Sequence, residues 1–432
     1  MEKYTERKKI LLILSIISNV GILVFFKYFN FFADNLNFIS EKLNWNYTLD
    51  LLAIVLPIGL SFHTFQAMSY TIEVYRGNQK AERHFGIYAL YVMYYPQLVA
   101  GPIERPQNIL SQLHEDHKFD LKQFNNGLLL MLWGFFKKLV IADRIAFYIN
   151  PVFDHPHSYS GISIFVASCL FSFQIFCDFS GYSDIALGAS QTMGIKLMKN
   201  FDRPYSSKTI SEFWSKWHIS LSTWFKDYVY IPLGGNRVSK LKWYRNIMII
   251  FLISGFWHGA NWTFIIWGAL HGFYLIVGIE SRSIRERIFN FLRITNTYLY
   301  PIIQRSTVFF LVTTAWVFFR SRSISDAFFM IEQSLKGIPE FVTSIITNPS
   351  VETFESLFLN LSIRTNYIEV IILVSSLLIL ELVHFKKNKF NWFEKIESYP
   401  VWCKWSIYTS LILFVMCFGM FHNESEFIYF QF

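Results

Sequence analysis

Long apolar runs recur along the whole chain, and short polar loops separate them. An α-helix needs about 20 mostly apolar residues to span a bilayer, and the clearest runs approach or exceed that length. These runs cover residues 10–26, 51–72, 124–145, 161–176, 247–279, 301–319, 367–382 and 402–421. The pattern predicts an all-α membrane protein with many bilayer crossings.

The apolar run at residues 247–279 is too long for a single span. We expect either two helices or one span with a broken segment around residues 255–261. Some weaker apolar windows predict re-entrant or surface-lying helices, because irregular backbone is not tolerated where it faces lipid. These windows are residues 86–100, 181–193 and 217–232. Together the runs predict about nine to eleven membrane-embedded helices.

The composition indicates a chain without a separate soluble domain. Apolar residues make up 53% of the 432 positions and charged residues only 16%, whereas a soluble domain carries roughly 25% charged residues. No internal repeat or low-complexity tract is visible. We therefore treat residues 1–432 as one membrane domain. Within it, the stretch 336–362, which contains prolines, serines and threonines, is predicted to be an extramembrane connector.

The net charge of +8 comes from basic residues in short loops between apolar runs. This distribution is typical of the cytoplasmic loops of membrane proteins, and it argues against binding of nucleic acid. It predicts a cytoplasmic N-terminus. The run at residues 10–26 follows basic residues but has no small-residue cleavage site after it, so we interpret it as a retained anchor.

Several common kinds of catalytic centre have no support in the chain. All the cysteines lie within apolar runs and lack CxxC spacing, so they indicate neither a metal site nor a disulfide framework. They are Cys169, Cys177, Cys403 and Cys417. No GxSxG elbow, Walker loop or HExxH motif is present, which argues against hydrolase, ATPase and zincin chemistry.

Two histidines lie inside the long apolar run, where an ionisable side chain by default marks a polar cavity or a reaction path. His258 and His271 are 13 positions apart, so on one continuous helix they lie about 20 Å and about 140° apart. They therefore cannot serve the same atom unless the helix breaks. We favour a catalytic role for His258, with Trp257 and Asn261 lining a cavity, and a packing role for His271.

The region 200–246 combines polar and aromatic residues. Trp214, Trp217 and Trp224 fall on one face if the region is helical, which predicts a helix that lies along the membrane interface or dips inward and carries His218 toward His258. His218 lies beside that face, and the sequence leaves its structural and catalytic roles equally open. It could act with His258 if tertiary packing brings the two rings together, and we then expect both rings to line one cavity.

Acidic and hydroxyl side chains cluster between residues 178 and 184. Asp178 and Asp184 end an apolar run, and Ser180 or Ser183 could cap a helix that starts there. The alternative interpretation is that this turn orients a histidine ring or an acceptor in a cavity. Capping is favoured for Asp184, and both interpretations stay open for Asp178.

A set of ordered motifs resembles the membrane-bound O-acyltransferase family, and within it the bacterial branch of alginate and peptidoglycan O-acetylation proteins. The resemblance covers nearly the whole chain, including its last residues, FIYFQF. The motifs are LPIGLSFHTFQ at 56–66, VAGPIER at 99–105, FCDFSGYSD at 176–184, FWSKWHISLSTW at 213–224, DYVYIPLGGNR at 227–237 and GFWHGANW at 255–262.

The resemblance implies a ring of helices around a central funnel, with the family's essential histidine at His258 and a second site histidine at His218. It implies a bacterial cytoplasmic membrane protein that uses a thioester donor, acetyl-CoA, and no bound cofactor or metal. It further implies an extracytoplasmic polysaccharide acceptor and a partner acetyltransferase resembling SGNH hydrolases. The residues expected to bind substrate or support the site are Asp178, Ser180, Asp184, Trp217, Asp227, Trp257 and Asn261.

Two other functions remain open at this point. A sister branch of the family transfers D-alanine from a carrier protein toward teichoic acids. A transporter that moves an acyl donor without catalysis would also need polar residues in the membrane, but the inverted repeats that favour it are not visible. Family members usually have further hydrophobic segments before the stretch that matches residues 9–37, whereas this sequence starts there.

Overall fold

The computed structural model describes residues 1–2, 5–45, 47–350, 353, 367–387, 396, 398–421 and 427–428. Every regular element in these ranges is helical. The α-helices are α1 (Lys8–Leu23), α2 (Phe29–Lys42), α3 (Leu60–Arg76), α4 (Phe85–Met93), α5 (Pro106–Leu113), α6 (Leu121–Phe135), α7 (Asp143–Asp154), α8 (Gly161–Thr192), α9 (Ile210–Lys216), α10 (Ile219–Phe225), α11 (Lys240–His258), α12 (Trp262–Glu280), α13 (Arg282–Phe291), α14 (Leu299–Arg320), α15 (Ile324–Thr347), α16 (Tyr367–Lys387) and α17 (Val401–Phe418). Segments of π-helix occur at Val24–Tyr28, Phe136–Ala142 and Lys226–Tyr230.

Several helices are long and apolar enough to cross a membrane, which agrees with the predicted all-α, multi-pass fold. Within the described residues these are Thr5–Lys42, Gly161–Thr192, Trp262–Glu280, Leu299–Arg320 and Val401–Phe418. The first of them continues through the π-helical segment well past residue 26, where the predicted apolar run ends. The total of nine to eleven embedded helices remains a prediction.

Helix α8 forms the centre of the molecule and packs against α6, α7, α14 and α15. It is continuous, so the predicted separation between a span at 161–176 and a weaker helix at 181–193 is wrong. Glycines allow α6 and α8 to approach closely, since a Cβ atom on Gly134 would lie 2.6 Å from the carbonyl oxygen of Gly181. Residues 178–184 therefore lie in the middle of a packed helix.

The predicted break in the run 247–279 is confirmed, because α11 ends at His258 and α12 begins at Trp262. Asn261 caps α12 by accepting a hydrogen bond from the backbone N–H of Thr263 at 3.0 Å. The two helices then pack in close contact, since a Cβ atom on Gly255 would lie 2.3 Å from the carbonyl oxygen of Phe264. The break leaves His258 at a helix end instead of mid-helix.

Two other predictions about helices are wrong in part. Residues 51–59 precede α3 and are not helical, although they belong to the predicted run 51–72. In the predicted connector 336–362, residues up to Thr347 are helical and extend α15, with Pro339 inside the helix. Most of the rest of that stretch, residues 351–362, lies outside the described residues apart from Thr353.

The predicted interface helix in the region 200–246 is also wrong. The chain leaves the helical conformation between α9 and α10, at Trp217 and His218, so the three tryptophans do not share one helical face. Trp217 and Trp224 are only 2% and 3% exposed, which places them in the hydrophobic core. This region therefore carries His218 into the interior of the protein.

We distinguish two ends of the helix bundle and call one of them the basic end. It contains Lys8, whose ammonium lies 5.0 Å from the ring of Tyr75. It also contains Arg76, which donates to the backbone oxygen of Asp227. Trp243, in the first turn of α11, bonds to Tyr230 on the same side. His258 is the last residue of α11, at the opposite end. It lies 18 residues after the first residue of this helix, which corresponds to about 27 Å along the helix axis. The positive-inside rule predicts that the basic end faces the cytoplasm.

Candidate functional site

A small cavity of about 140 Å³ lies beside His258, at the end of α11 opposite the basic end. His258 is the last residue of α11, and it and Trp257 both border the cavity, as the sequence predicts for a site at this position. The lining residues are Lys27, Leu56, Pro57, Ile58, Gly59, Leu60, Ser61, Phe62, Val99, Trp257 and His258.

Lys27 and Tyr28 hold the end of α11 in place. The Lys27 ammonium donates to the backbone oxygens of Trp257 and His258, at 2.9 Å each, and the Tyr28 hydroxyl donates to the oxygen of Phe256 at 2.9 Å. The last carbonyls of a helix have no partner within the helix, and a cation there is favoured by the helix dipole. Both residues belong to a π-helical segment, a local irregularity frequent at functional sites.

Aromatic rings hold the imidazole of His258 in a defined orientation. Its centroid lies 4.8 Å from the ring of Trp257, 5.0 Å from Trp267 and 5.2 Å from Phe319, all near edge-to-face. Edge-to-face packing is the favoured geometry of such ring pairs. The imidazole is therefore fixed on several sides, and its residue remains 6% exposed next to the cavity.

The irregular backbone before α3 forms another wall of the cavity. Gly59 begins α3 with φ of 74°, and a Cβ atom there would lie 2.5 Å from the carbonyl oxygen of Leu98. Both the left-handed conformation and the close contact require glycine. Non-helical backbone at membrane depth is tolerated where it lines a cavity, which explains why this part of an apolar run is not helical.

His218 is fully buried and strained. Its φ of 42° is left-handed, a conformation uncommon for residues other than glycine that clusters at functional sites. The side-chain oxygen of Asn200 lies 3.3 Å from Nδ1 of His218 and accepts a hydrogen bond from Ser220 at 2.6 Å. Because that oxygen accepts, Nδ1 donates to it, which leaves Nε2 as the basic nitrogen of the neutral ring.

Trp257 contacts both catalytic candidates. Its ring lies 6.4 Å from that of His218 and 4.8 Å from that of His258. Only His258 borders the cavity, however, so the expectation that both rings line one cavity is not met. His218 is packed instead against Phe179 at 4.7 Å.

His271 occupies a separate aromatic environment, in agreement with its predicted packing role. Its Nδ1 accepts a hydrogen bond from the indole of Trp214 at 3.2 Å. Trp267 lies 5.0 Å from both His258 and His271, so its ring contacts each of them. His271 is not among the residues that border the cavity.

The acidic residues of α8 form ion pairs with the π-helical segment after α6. Lys138 bridges Asp178 and Asp143, and Lys137 pairs with Asp184, each at 2.7 Å. We call these five residues the ion-pair cluster. Asp178 and Asp184 lie within α8, so neither of them caps a helix, and the predicted turn at 178–184 is wrong.

The ion-pair cluster also engages Ser180 and the end of the chain. Ser180 accepts a hydrogen bond from Lys137 at 2.9 Å, and Asp178 accepts one from the backbone N–H of Ile428 at 2.8 Å. Buried charges are tolerated when they are paired and hydrogen-bonded in this way. Neither Asp178 nor Ser180 borders the cavity, so their contribution to the site is support of the helices around it.

The remaining predicted site residues also lie outside the cavity lining. Asp227 accepts from Arg105 at 3.0 Å at the basic end, and its side chain is 41% exposed. Trp217 stacks on Phe213, with ring centroids 5.6 Å apart, inside the core. Asn261 caps α12, as described above. Of the supporting residues that the sequence predicts, Trp257 is the one that borders the cavity.

The sequence interpretation missed Lys27, Asn200 and Ser220. A signal for Lys27 was available, because a lysine inside an apolar stretch marks a functional position by default. Asn200 and Ser220 carry no such signal, since their approach to His218 depends on a loop folding back. Among the described residues, no group of three or more His, Cys, Asp or Glu side chains could hold a metal ion.

Comparison with known proteins identifies relatives along most of the chain. It is 40% identical to a peptidoglycan O-acetyltransferase of Helicobacter pylori over 74% of this chain and 63% of that protein. It is 40% identical to a protein of Pseudomonas aeruginosa named "Probable alginate O-acetylase AlgI", over 74% of this chain and 59% of that one. A teichoic acid D-alanyltransferase of Streptococcus thermophilus is 31% identical over 51% of this chain and 56% of its own length.

The chain thus spans less than two thirds of the length of these curated relatives. The family model gives the broader relationship. It describes the membrane-bound O-acyltransferases (MBOAT) and matches residues 84–319, a range that includes His218, His258 and His271. Since this range is more than half of the chain, the protein belongs to the membrane-bound O-acyltransferase family.

Proposed function

We propose that this protein is an O-acyltransferase that moves an acetyl group from a cytoplasmic thioester, acetyl-CoA, across the membrane for O-acetylation of a polysaccharide outside. The position of His258 carries the proposal. A neutral imidazole at the wall of a small cavity, at the break between α11 and α12, is the group that acyl transfer to a hydroxyl needs.

In the proposed reaction, the oxygen of the acceptor hydroxyl attacks the carbonyl carbon of the thioester. His258 takes the hydroxyl proton as the C–O bond forms, the C–S bond then breaks, and the proton passes to the leaving thiolate. General base catalysis of this kind contributes about 10²–10⁴-fold to the rate. His218 does not border the cavity, so its role in this proposal is to support the position of Trp257, whose ring packs next to His258.

Passage through the membrane and acyl transfer are one event in this proposal. The basic end of the molecule, which we expect in the cytoplasm, receives the donor. His258 lies at the opposite end of α11, where the cavity meets the acceptor. The names of the relatives support acetylation of a cell-envelope or secreted polysaccharide. An extracytoplasmic acetyltransferase resembling SGNH hydrolases is the partner that we propose for the final step.

The test is transfer of isotope-labelled acetyl groups by the purified protein in lipid nanodiscs. We expect wild-type protein to release free CoA from acetyl-CoA, faster when an acceptor carrying a hydroxyl is present. The His258→Gln protein should show none of this stimulation, while His271→Gln should retain it. Turnover of a D-alanyl carrier protein with no response to acetyl-CoA would contradict the proposal and favour D-alanyl transfer instead.

A further inference from the structure

The cavity beside His258 is small, and its described lining residues carry positive but no negative charge. Its volume of about 140 Å³ suits a short acyl group and a hydroxyl. Lys27 is the one lysine or arginine among the described residues that line it, and none of those residues is acidic. The cavity therefore offers a positive charge without a compensating carboxylate.

We propose that Lys27 selects the acyl group by charge, so that the cavity accepts short neutral acyl groups and rejects those that carry an ammonium. This inference rests on the proposed function, because it assumes that the acyl group passes through the cavity at His258. It assigns to Lys27 a specificity role beyond its structural contact with α11.

The Lys27 ammonium makes two kinds of contact that stabilise a cation. Its ammonium donates to the oxygens of Trp257 and His258, at the carbonyl end of α11, where the helix dipole favours a cation. It also lies 6.0 Å from the ring centroid of Trp257, a contact that favours a cation over an aromatic face. These contacts hold the Lys27 ammonium at the break between α11 and α12, where His258 is located.

The charge distinguishes the two acyl groups that the relatives' names suggest. An acetyl group is neutral, whereas an alanyl group carries an ammonium beside its carbonyl. Two like charges roughly 6 Å apart in a partly polar interior repel enough to lower binding by on the order of tenfold to a hundredfold. Rejection by an unfavourable charge is a common way to build specificity.

The experiment compares acetyl, D-lactyl and D-alanyl thioesters of coenzyme A. Lactyl replaces the ammonium of alanyl by a hydroxyl of similar size, so the two differ mainly in charge. We expect wild-type protein to use lactyl-CoA at least about tenfold better than alanyl-CoA, by kcat/KM. In Lys27→Gln, which can still donate to the two carbonyls but lacks the charge, the two thioesters should come within about twofold. Lys27→Arg keeps the charge and should keep the preference.

A second measurement separates this inference from the proposed function. Each thioester should raise the Tm of the transfer-deficient His258→Gln protein, alanyl-CoA least, and the added Lys27→Gln change should remove that difference. Equal use of lactyl and alanyl thioesters by wild-type protein, or an unchanged preference in Lys27→Gln, would overturn the role of Lys27. Absence of transfer from every thioester, with the Tm difference intact, would overturn the proposed acyltransferase and leave the charge selection standing.

Discussion

The cavity at the break between α11 and α12 and the ion-pair cluster between α6 and α8 both hold polar groups in an apolar interior. At the break, His258 borders a cavity and Lys27 donates to the backbone oxygens of Trp257 and His258. In the cluster, each lysine lies 2.7 Å from a carboxylate, and neither Asp178 nor Asp184 borders the cavity beside His258.

We interpret this difference as one between the proposed reactive site and a structural one. A buried polar side chain is expensive in either place, so burial alone does not identify function. In the cluster, each charged group is paired with an opposite charge, which indicates a structural role. A group that borders a cavity can instead present an atom to a substrate. The following predictions test that distinction, from the largest expected effect to the smallest.

Replacing His258 by Gln should abolish transfer and leave the fold intact. We expect the rate to fall about 10²–10⁴-fold, because glutamine cannot accept the proton that imidazole takes. Protein level and membrane insertion should stay close to wild type, and Tm should fall only modestly, because the ring borders the cavity but also packs against three aromatic side chains. Polysaccharide acetylation in cells, measured with protein level, is the readout. Normal acetylation in a well-expressed His258→Gln strain would remove His258 from the mechanism.

Replacing Asp178 by Ala should mainly destabilise the protein, in contrast to the loss of transfer expected at His258. Lys138 would lose one of its two carboxylates and Ile428 its hydrogen-bond acceptor. Breaking a buried ion pair costs about 3–5 kcal/mol. Reversible unfolding in detergent measures this loss, with Asp184→Ala as the matched control. The effect there should be smaller, because the Asp184 side chain is 26% exposed against 3% for Asp178. A stable Asp178→Ala protein that lacks transfer would instead move Asp178 into the reactive site.

Replacing Trp214 by Phe should show that His271 belongs to the packed interior. The change removes the indole N–H and leaves the Nδ1 atom of His271 without that donor. A buried acceptor that loses its partner costs about 1–3 kcal/mol. We expect a lower Tm with transfer rates per folded molecule within about twofold of wild type. A selective loss of transfer at unchanged Tm would show that His271 contributes to the chemistry.

Replacing Asn261 by Ala should have the smallest effect. It removes the N-cap of α12 and costs about 1 kcal/mol, whereas Asn261→Ser retains a capping oxygen and should recover most of that loss. Comparison of the Tm values of these two variants checks the capping role. If both variants lose transfer equally at wild-type Tm, Asn261 contacts the substrate, as the sequence interpretation suggested.

Part of the candidate site could be predicted from the chain. His258 and Trp257 follow from a histidine and an adjacent aromatic ring in an apolar run with glycines, and both border the cavity. The roles of Asp178 and Asp184 could not be predicted. Their lysine partners come from another helix, and nothing in the local sequence shows that α8 continues through residues 178–184.

The sequence by itself determined the fold class, because the length and frequency of apolar runs require helices that satisfy their own backbone in lipid. It also determined the break between α11 and α12, because the run is too long for one span. Only the tertiary structure decided which polar groups face a cavity and which face each other. Lys27 reaches the end of α11 across 231 positions of sequence, and Asn200 reaches His218 across 18. Such contacts depend on how helices and loops pack, which no local pattern encodes.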